Sequence, residues 1–110
     1  MRSALLGLGL VLLTAGPAAA DLATGADALT RGDYKAAIAE LGRTKGPDAG
    51  KARLLQVDAQ LAVGDLKGAE ATATAASKDA DPVVASNGKV ALADVLRTTG
   101  RIADAQKLLE

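Results

Sequence analysis

Apolar and polar positions along this chain follow the period of an α-helix, and the helical stretches are interrupted at regular intervals by glycine. At three places a glycine is followed two positions later by a large apolar residue and five positions later by alanine. The copies are Gly32-Asp33-Tyr34-Lys35-Ala36-Ala37, Gly64-Asp65-Leu66-Lys67-Gly68-Ala69 and Gly100-Arg101-Ile102-Ala103-Asp104-Ala105. Their glycines stand 32 and 36 residues apart, inside the range of about 20–50 residues that marks repeated structural units.

Each copy reads as two helices joined at the glycine. The pattern predicts helices over 22–31 and 34–43, then 49–63 and 66–78, then 83–98 and from 102 to the end. In the middle unit Ala69, Ala73 and Ala76 share a face at i, i+4 and i+7. In the last unit Leu92 and Leu96 form a broader stripe with Ile102, Ala105 and Leu109 across the turn. Sustained period-two alternation is missing, so strands are not expected.

The boundaries carry their own signals. Asp21 and Asp81 are placed to cap helices, because a carboxylate there accepts hydrogen bonds from the free amides of the first turn. Pro82 suits the first helical position, where its missing N–H costs nothing. Residues 44–50 include Gly46, Pro47, Asp48 and Gly50 and read as a turn-rich linker. The units are therefore expected at 21–46, 47–80 and 81–110.

The first twenty residues break the pattern. Arg2 precedes an uncharged Leu/Val/Gly run over 4–13, Gly16-Pro17 interrupts it, and Ala18-Ala19-Ala20 follows. These are the three regions of a secretory signal peptide, with cleavage expected after Ala20. The apolar run, about ten residues, is short for a bilayer core of roughly 30 Å. An uncleaved N-terminal anchor, giving a membrane-tethered scaffold, is the alternative. Cysteine is absent, which excludes a lipid-bearing cysteine after the signal, disulfides and thiolate metal sites.

Composition narrows the function classes. Lys and Arg together number 13, as do Asp and Glu. No run of one sign occurs, so neither a nucleic-acid footprint nor a polybasic membrane patch is indicated. Tyr34 is the single aromatic residue, too few for the stacking platforms of a single-strand binder. The apolar content is mostly alanine, which favours helix strongly but buries little surface. Thin helices packed closely, with a modest stability margin, are expected.

The three units resemble tetratricopeptide repeats, whose helix pairs average about 34 residues. In that family a small residue lies seven before the turn glycine; here Gly25 and Ala93 fit and Val57 departs. The residue two after it is large (Tyr34, Leu66, Ile102), and the family alanine five after it is met by Ala37, Ala69 and Ala105. The bulky residue nine after it is met by Leu41 and Leu109, with Ala73 undersized. Four before it, where the family favours a ring, stand Ala28, Gln60 and Leu96. The resemblance spans about residues 21–110 and implies an all-α fold of antiparallel helix-turn-helix repeats stacked as a short right-handed α-solenoid. The last helix is short for the family and no polar capping helix follows, although terminal repeats normally need a solvated outer face.

Chemistry is sparse. Histidine and cysteine are absent, which removes the commonest general base, metal ligand and thiol nucleophile. Ser3, Ser77 and Ser86 lie in no Gly-x-Ser-x-Gly turn, and Asp79 with Asp81 lacks the glycine and glutamate of a calcium loop. No catalysis, metal or cofactor is expected. What the resemblance implies instead is a groove lined by the first helix of each pair, receiving a protein or peptide. By repeat position its residues are Lys51, Leu54, Asp58 and Leu61, then Asn87, Val90, Asp94 and Arg97. Some family members clamp a terminal carboxylate there; Asp58 and Asp94 stand where that clamp wants neutral asparagine. The groove is accordingly suited to a basic or apolar segment. The expected role is an exported, non-catalytic interaction module or scaffold in the bacterial cell envelope, periplasmic or secreted. The alternative is the leading repeats of a larger envelope protein with an assembly or enzymatic domain downstream.

Overall fold

The computed structural model describes residues 21–110; the segment read as a signal peptide lies outside the described residues. The described residues are all-α. Helices α1 (Leu22–Thr30), α2 (Tyr34–Arg43), α3 (Ala49–Ala62), α4 (Leu66–Ser77), α5 (Pro82–Thr98) and α6 (Ile102–Leu108) follow one another, with a 3-10 turn at Gly46–Asp48 before α3. Each helix packs on the next in sequence, and in addition α1 touches α3 and α3 touches α5.

The three turn glycines explain the hairpins. Gly32, Gly64 and Gly100 have φ of 78°, 80° and 84°, the left-handed region that a side chain disfavours. In each turn the glycine amide donates to the carbonyl three residues back and the next amide to the carbonyl five residues back. Gly32 N–H reaches Leu29 O at 3.0 Å and Asp33 N–H reaches Ala28 O at 2.9 Å; Asp65 N–H to Gln60 O is 2.9 Å and Arg101 N–H to Leu96 O is 2.8 Å. This closes the free carbonyls of the first helix. In two turns the following aspartate opens the second helix: Asp33 Oδ1 accepts from Ala36 N–H at 3.3 Å and Asp65 Oδ1 from Gly68 N–H at 2.9 Å. Two residues thus end one helix and start another. Arg101 occupies this place in the third turn and gives α6 no side-chain cap. Asp21 and Asp81 cap α1 and α5 as expected, and hydrogen bonds from the Thr24 amide and hydroxyl pull the Asp21 carboxyl below its ordinary range.

The core is narrow. Leu41, Val57 and Val95 are the largest fully buried side chains, and Ala28, Ala37, Ala52, Ala59, Ala69, Ala73, Ala76, Ala93 and Ala105 supply most of the rest. Alanine fills so little volume that neighbouring helices must come nearly into backbone contact. At Gly25 a Cβ would lie 2.6 Å from Leu41 Cγ; at Gly88 it would lie 2.5 Å from the Ala76 carbonyl carbon and 2.8 Å from Ser77 Cα. The smallest residue of α5 therefore lies on the backbone of α4.

Two expectations are corrected. Gly50 belongs to α3 rather than to a linker, buried beneath Asp79 and Val84. The stripe on the last hairpin is only partly inward: Leu96 and Ala105 are buried, but Ile102 and Leu109 are 47% and 49% exposed. Leu109 stands just beyond α6, which ends after seven residues, so it does not fill the bulky position that Leu41 fills in the first unit. Ala93 is fully buried with Leu96 and Ala105 where α5 meets α6, and a second close approach, of α5 to α4 of the preceding unit, falls at Gly88.

Two substitutions test the packing. Gly88→Ala is expected to lower stability by about 1–3 kcal/mol through overpacking against α4, whereas Gly42→Ala, facing only the mobile end of Gln56 at 3.1 Å, leaves it unchanged or slightly raised. Gln60, 6% exposed with Oε1 unpaired, occupies the position held by Ala28 and Leu96. Gln60→Leu is expected to stabilise by about 1 kcal/mol, because an orphaned buried acceptor carries its full desolvation cost. Thermal and urea unfolding followed by circular dichroism measures all three.

Candidate functional site

The eight expected groove residues lie on α3 and α5, two helices that touch, and differ in exposure along this strip. Lys51 and Asp58 on α3, with Asn87 and Asp94 on α5, are exposed. Each pair is seven residues apart, two helical turns, and so lies on one side of its helix. Leu54 and Leu61 are half-buried, and Leu61 packs with Val57, Ala69, Ala73 and Val95 between the second and third units. Val90 and Arg97, their counterparts on α5, are exposed.

Electrostatics mark one point on this strip. Asp58 and Asp94 lie close enough to repel. Partial loss of water around Asp58 at the helix contact, and then the charge of Asp94, hold the Asp58 carboxyl above its ordinary value. Asp94 is itself paired with Arg97 one turn along α5. The strip therefore offers exposed carboxylate character beside apolar side chains, with Lys51 and Asn87 toward the helix starts.

Two features outside the strip escaped sequence reading. Arg101 Nη1 and Nη2 grip Glu70 Oε1 and Oε2 at 2.9 and 3.0 Å, a two-pronged bond joining the last turn to α4. Glu70 thereby holds the guanidinium even more firmly protonated. The available signal was the third turn reading Gly-Arg where the others read Gly-Asp. Arg53 similarly approaches Asp79 at 3.6 Å. Both tie helices together rather than face a ligand.

An open depression of about 350 Å³ lies between α5 and α6, lined by Lys89, Leu92, Leu96, Asp104, Lys107 and Leu108. Its lining sets the charged Lys89, Asp104 and Lys107 beside Leu92, Leu96 and Leu108. Among the described residues no three acidic side chains gather to hold a metal ion, and no helix is long and apolar enough to cross a membrane.

The Asp58–Asp94 repulsion has a pH signature. A folded-state carboxyl raised above its unfolded value costs stability when ionised, and the cost vanishes as pH falls through the folded value. Asp58→Asn is therefore expected to raise the melting temperature at pH 7 by on the order of a degree, as a screened surface repulsion implies. The gain should disappear on acidification to where Asp58 is protonated; a gain independent of pH would contradict the assignment.

Comparison of the chain with protein-family models, curated proteins and solved structures finds no match.

Proposed function

We propose that the chain is an exported, non-catalytic scaffold of tetratricopeptide type in the bacterial cell envelope, periplasmic or secreted. Its helix pairs form a short right-handed α-solenoid, and the α3–α5 strip takes a protein or peptide segment with basic and apolar side chains. The observation that carries this reading is the recurrence of one turn. The same glycine closure appears at Gly32, Gly64 and Gly100, at the family's spacing, and each first helix touches the next. An array of this kind aligns its first helices into one continuous surface. Residues 1–20 carry the export reading, and the lack of histidine, cysteine and any clustered carboxylate set among the described residues favours binding over catalysis.

The polarity of the strip selects the partner class. Asp58 and Asp94 repel each other, so a cation placed between them relieves the repulsion and restores lost solvation. Leu54 and Val90 beside them suit the apolar flank of such a segment.

Site-specific photocrosslinking in the intact cell tests this. A photoreactive residue at Asn87 is expected to capture a discrete envelope partner, while one at the exposed Lys35 of α2 captures none. Reversing both carboxylates (Asp58→Lys with Asp94→Lys) should weaken capture by about ten-fold or more. Equal crosslinking from both faces, or capture indifferent to the reversal, would sink the assignment. Mass spectrometry of the exported chain should show it beginning at Asp21.

A further inference from the structure

The chain contains one asparagine, Asn87, and a glycine follows it. An asparagine in that setting can close on itself, because the glycine amide nitrogen reaches the side-chain Cγ and no side chain on the glycine hinders it. Packing fixes that glycine. A Cβ at residue 88 would lie 2.5 Å from the Ala76 carbonyl carbon and 2.8 Å from Ser77 Cα, and helix backbone cannot step aside. The contact that sets α5 on α4 thus places a reactive pair in the second turn of α5, with Gly88 buried and Asn87 exposed to solvent.

We infer that Asn87-Gly88 is a self-modification site held shut by the α4–α5 contact, and that opening of this contact exposes it to irreversible deamidation. Hydroxide removes the proton of the Gly88 amide, and its nitrogen bonds to Asn87 Cγ. The bond from Cγ to Nδ2 breaks, the side-chain nitrogen leaves as ammonia, and a cyclic imide remains. Water then opens the imide on either side. Breaking the new Cγ–N bond gives an aspartate at position 87. Breaking the original peptide bond gives an isoaspartate, whose backbone runs through the side chain and is longer by one methylene. The net change is one water in and one ammonia out, with no oxidant or reductant.

Inside α5 two constraints block the first step. The Gly88 amide is engaged by the carbonyl of Val84, four residues back, as helical geometry requires. Ring closure also needs a ψ at Asn87 far from the helical value of about −42°, and Gly88 cannot follow that rotation without lifting off Ala76 and Ser77. Reaction therefore proceeds from the opened chain, at a rate set by how often α5 leaves α4. The isoaspartate then adds a methylene directly before the residue that has no spare room on α4, and it shifts the carbonyl–amide pairing across that turn. A transient opening becomes a permanent one. The residue that close packing demands is the one that limits the lifetime of the fold, whether or not the α3–α5 strip binds anything.

Timed incubation of the full chain in mildly alkaline buffer tests this, with peptide mass spectrometry reading the replacement of NH by O at residue 87 and chromatography separating the isoaspartyl peptide. Conversion of the folded chain is expected to be slower than that of the urea-unfolded chain by about a hundred-fold or more, and to rise with urea as the opened fraction does. Val84 is buried against Gly50 of α3, so Val84→Ala loosens α5 without touching the reactive pair. It should speed conversion of the folded chain by about five-fold or more and leave the urea-unfolded rate unchanged. The urea series on the parent chain decides the gate even if that variant does not fold. Asn87→Gln should show no conversion over the same time, because its longer side chain closes a ring far more slowly. The isolated isoaspartyl chain, returned to native buffer, should melt well below the parent and lose helical circular dichroism. Asn87→Asp carries the same charge without the added methylene and should melt close to the parent. A folded chain that converts as fast as the unfolded one, a folded Val84→Ala that converts no faster than the parent, or an isoaspartyl chain that melts like the parent would overturn the inference.

Discussion

The backbone of α5 at Gly88 lies on the backbone of α4 at Ala76 and Ser77, and the rest of the array depends on that approach. A chain with one aromatic residue and an alanine-dominated interior cannot hold its helices together through large interlocking side chains. It can hold them only by bringing the helices close enough for small groups to touch. Gly25 against Leu41 solves the same problem in the first hairpin, and Gly50 beneath Asp79 and Val84 solves it between the second and third units. Stability then resides in many thin contacts, each intolerant of an added methyl group. The Arg101–Glu70 grip and the contact between Gln56 Nε2 and Ile38 O at 3.3 Å add polar ties between units.

Close approach in turn requires that the helices be set at fixed angles before packing begins, and the turns do this. Gly32-Asp33 and Gly64-Asp65 satisfy the ends of two helices within two residues, so little backbone remains free at either junction. The third turn keeps the glycine and loses the aspartate. Its arginine was diverted to Glu70, which anchors the turn to α4 but leaves α6 without a side-chain cap, and α6 is the shortest helix. A seven-residue helix spans about 10 Å against about 25 Å for α5, which leaves part of α5 uncovered.

Helix positions were legible because glycine, aspartate and proline act locally. Thr30, Arg43 and Thr98 were placed at or within a residue of their helix ends from turn chemistry alone. The buried alanines were legible as well, since Ala37, Ala69 and Ala105 hold the same place in each unit and all are fully buried. Gly50 and Gly88 were not, because closest approach depends on how two helices cross, and crossing is fixed by contacts distant in sequence. Leu109 failed for a related reason: its spacing places it on the stripe, but the helix that would carry it inward stops at Leu108. For the α3–α5 strip, repeat position picked out eight residues on two helices that touch. It could not separate Lys51, Asp58, Asn87 and Asp94, which face solvent, from Leu61, which the next unit covers. That division exists only once α5 lies on α3 and α4.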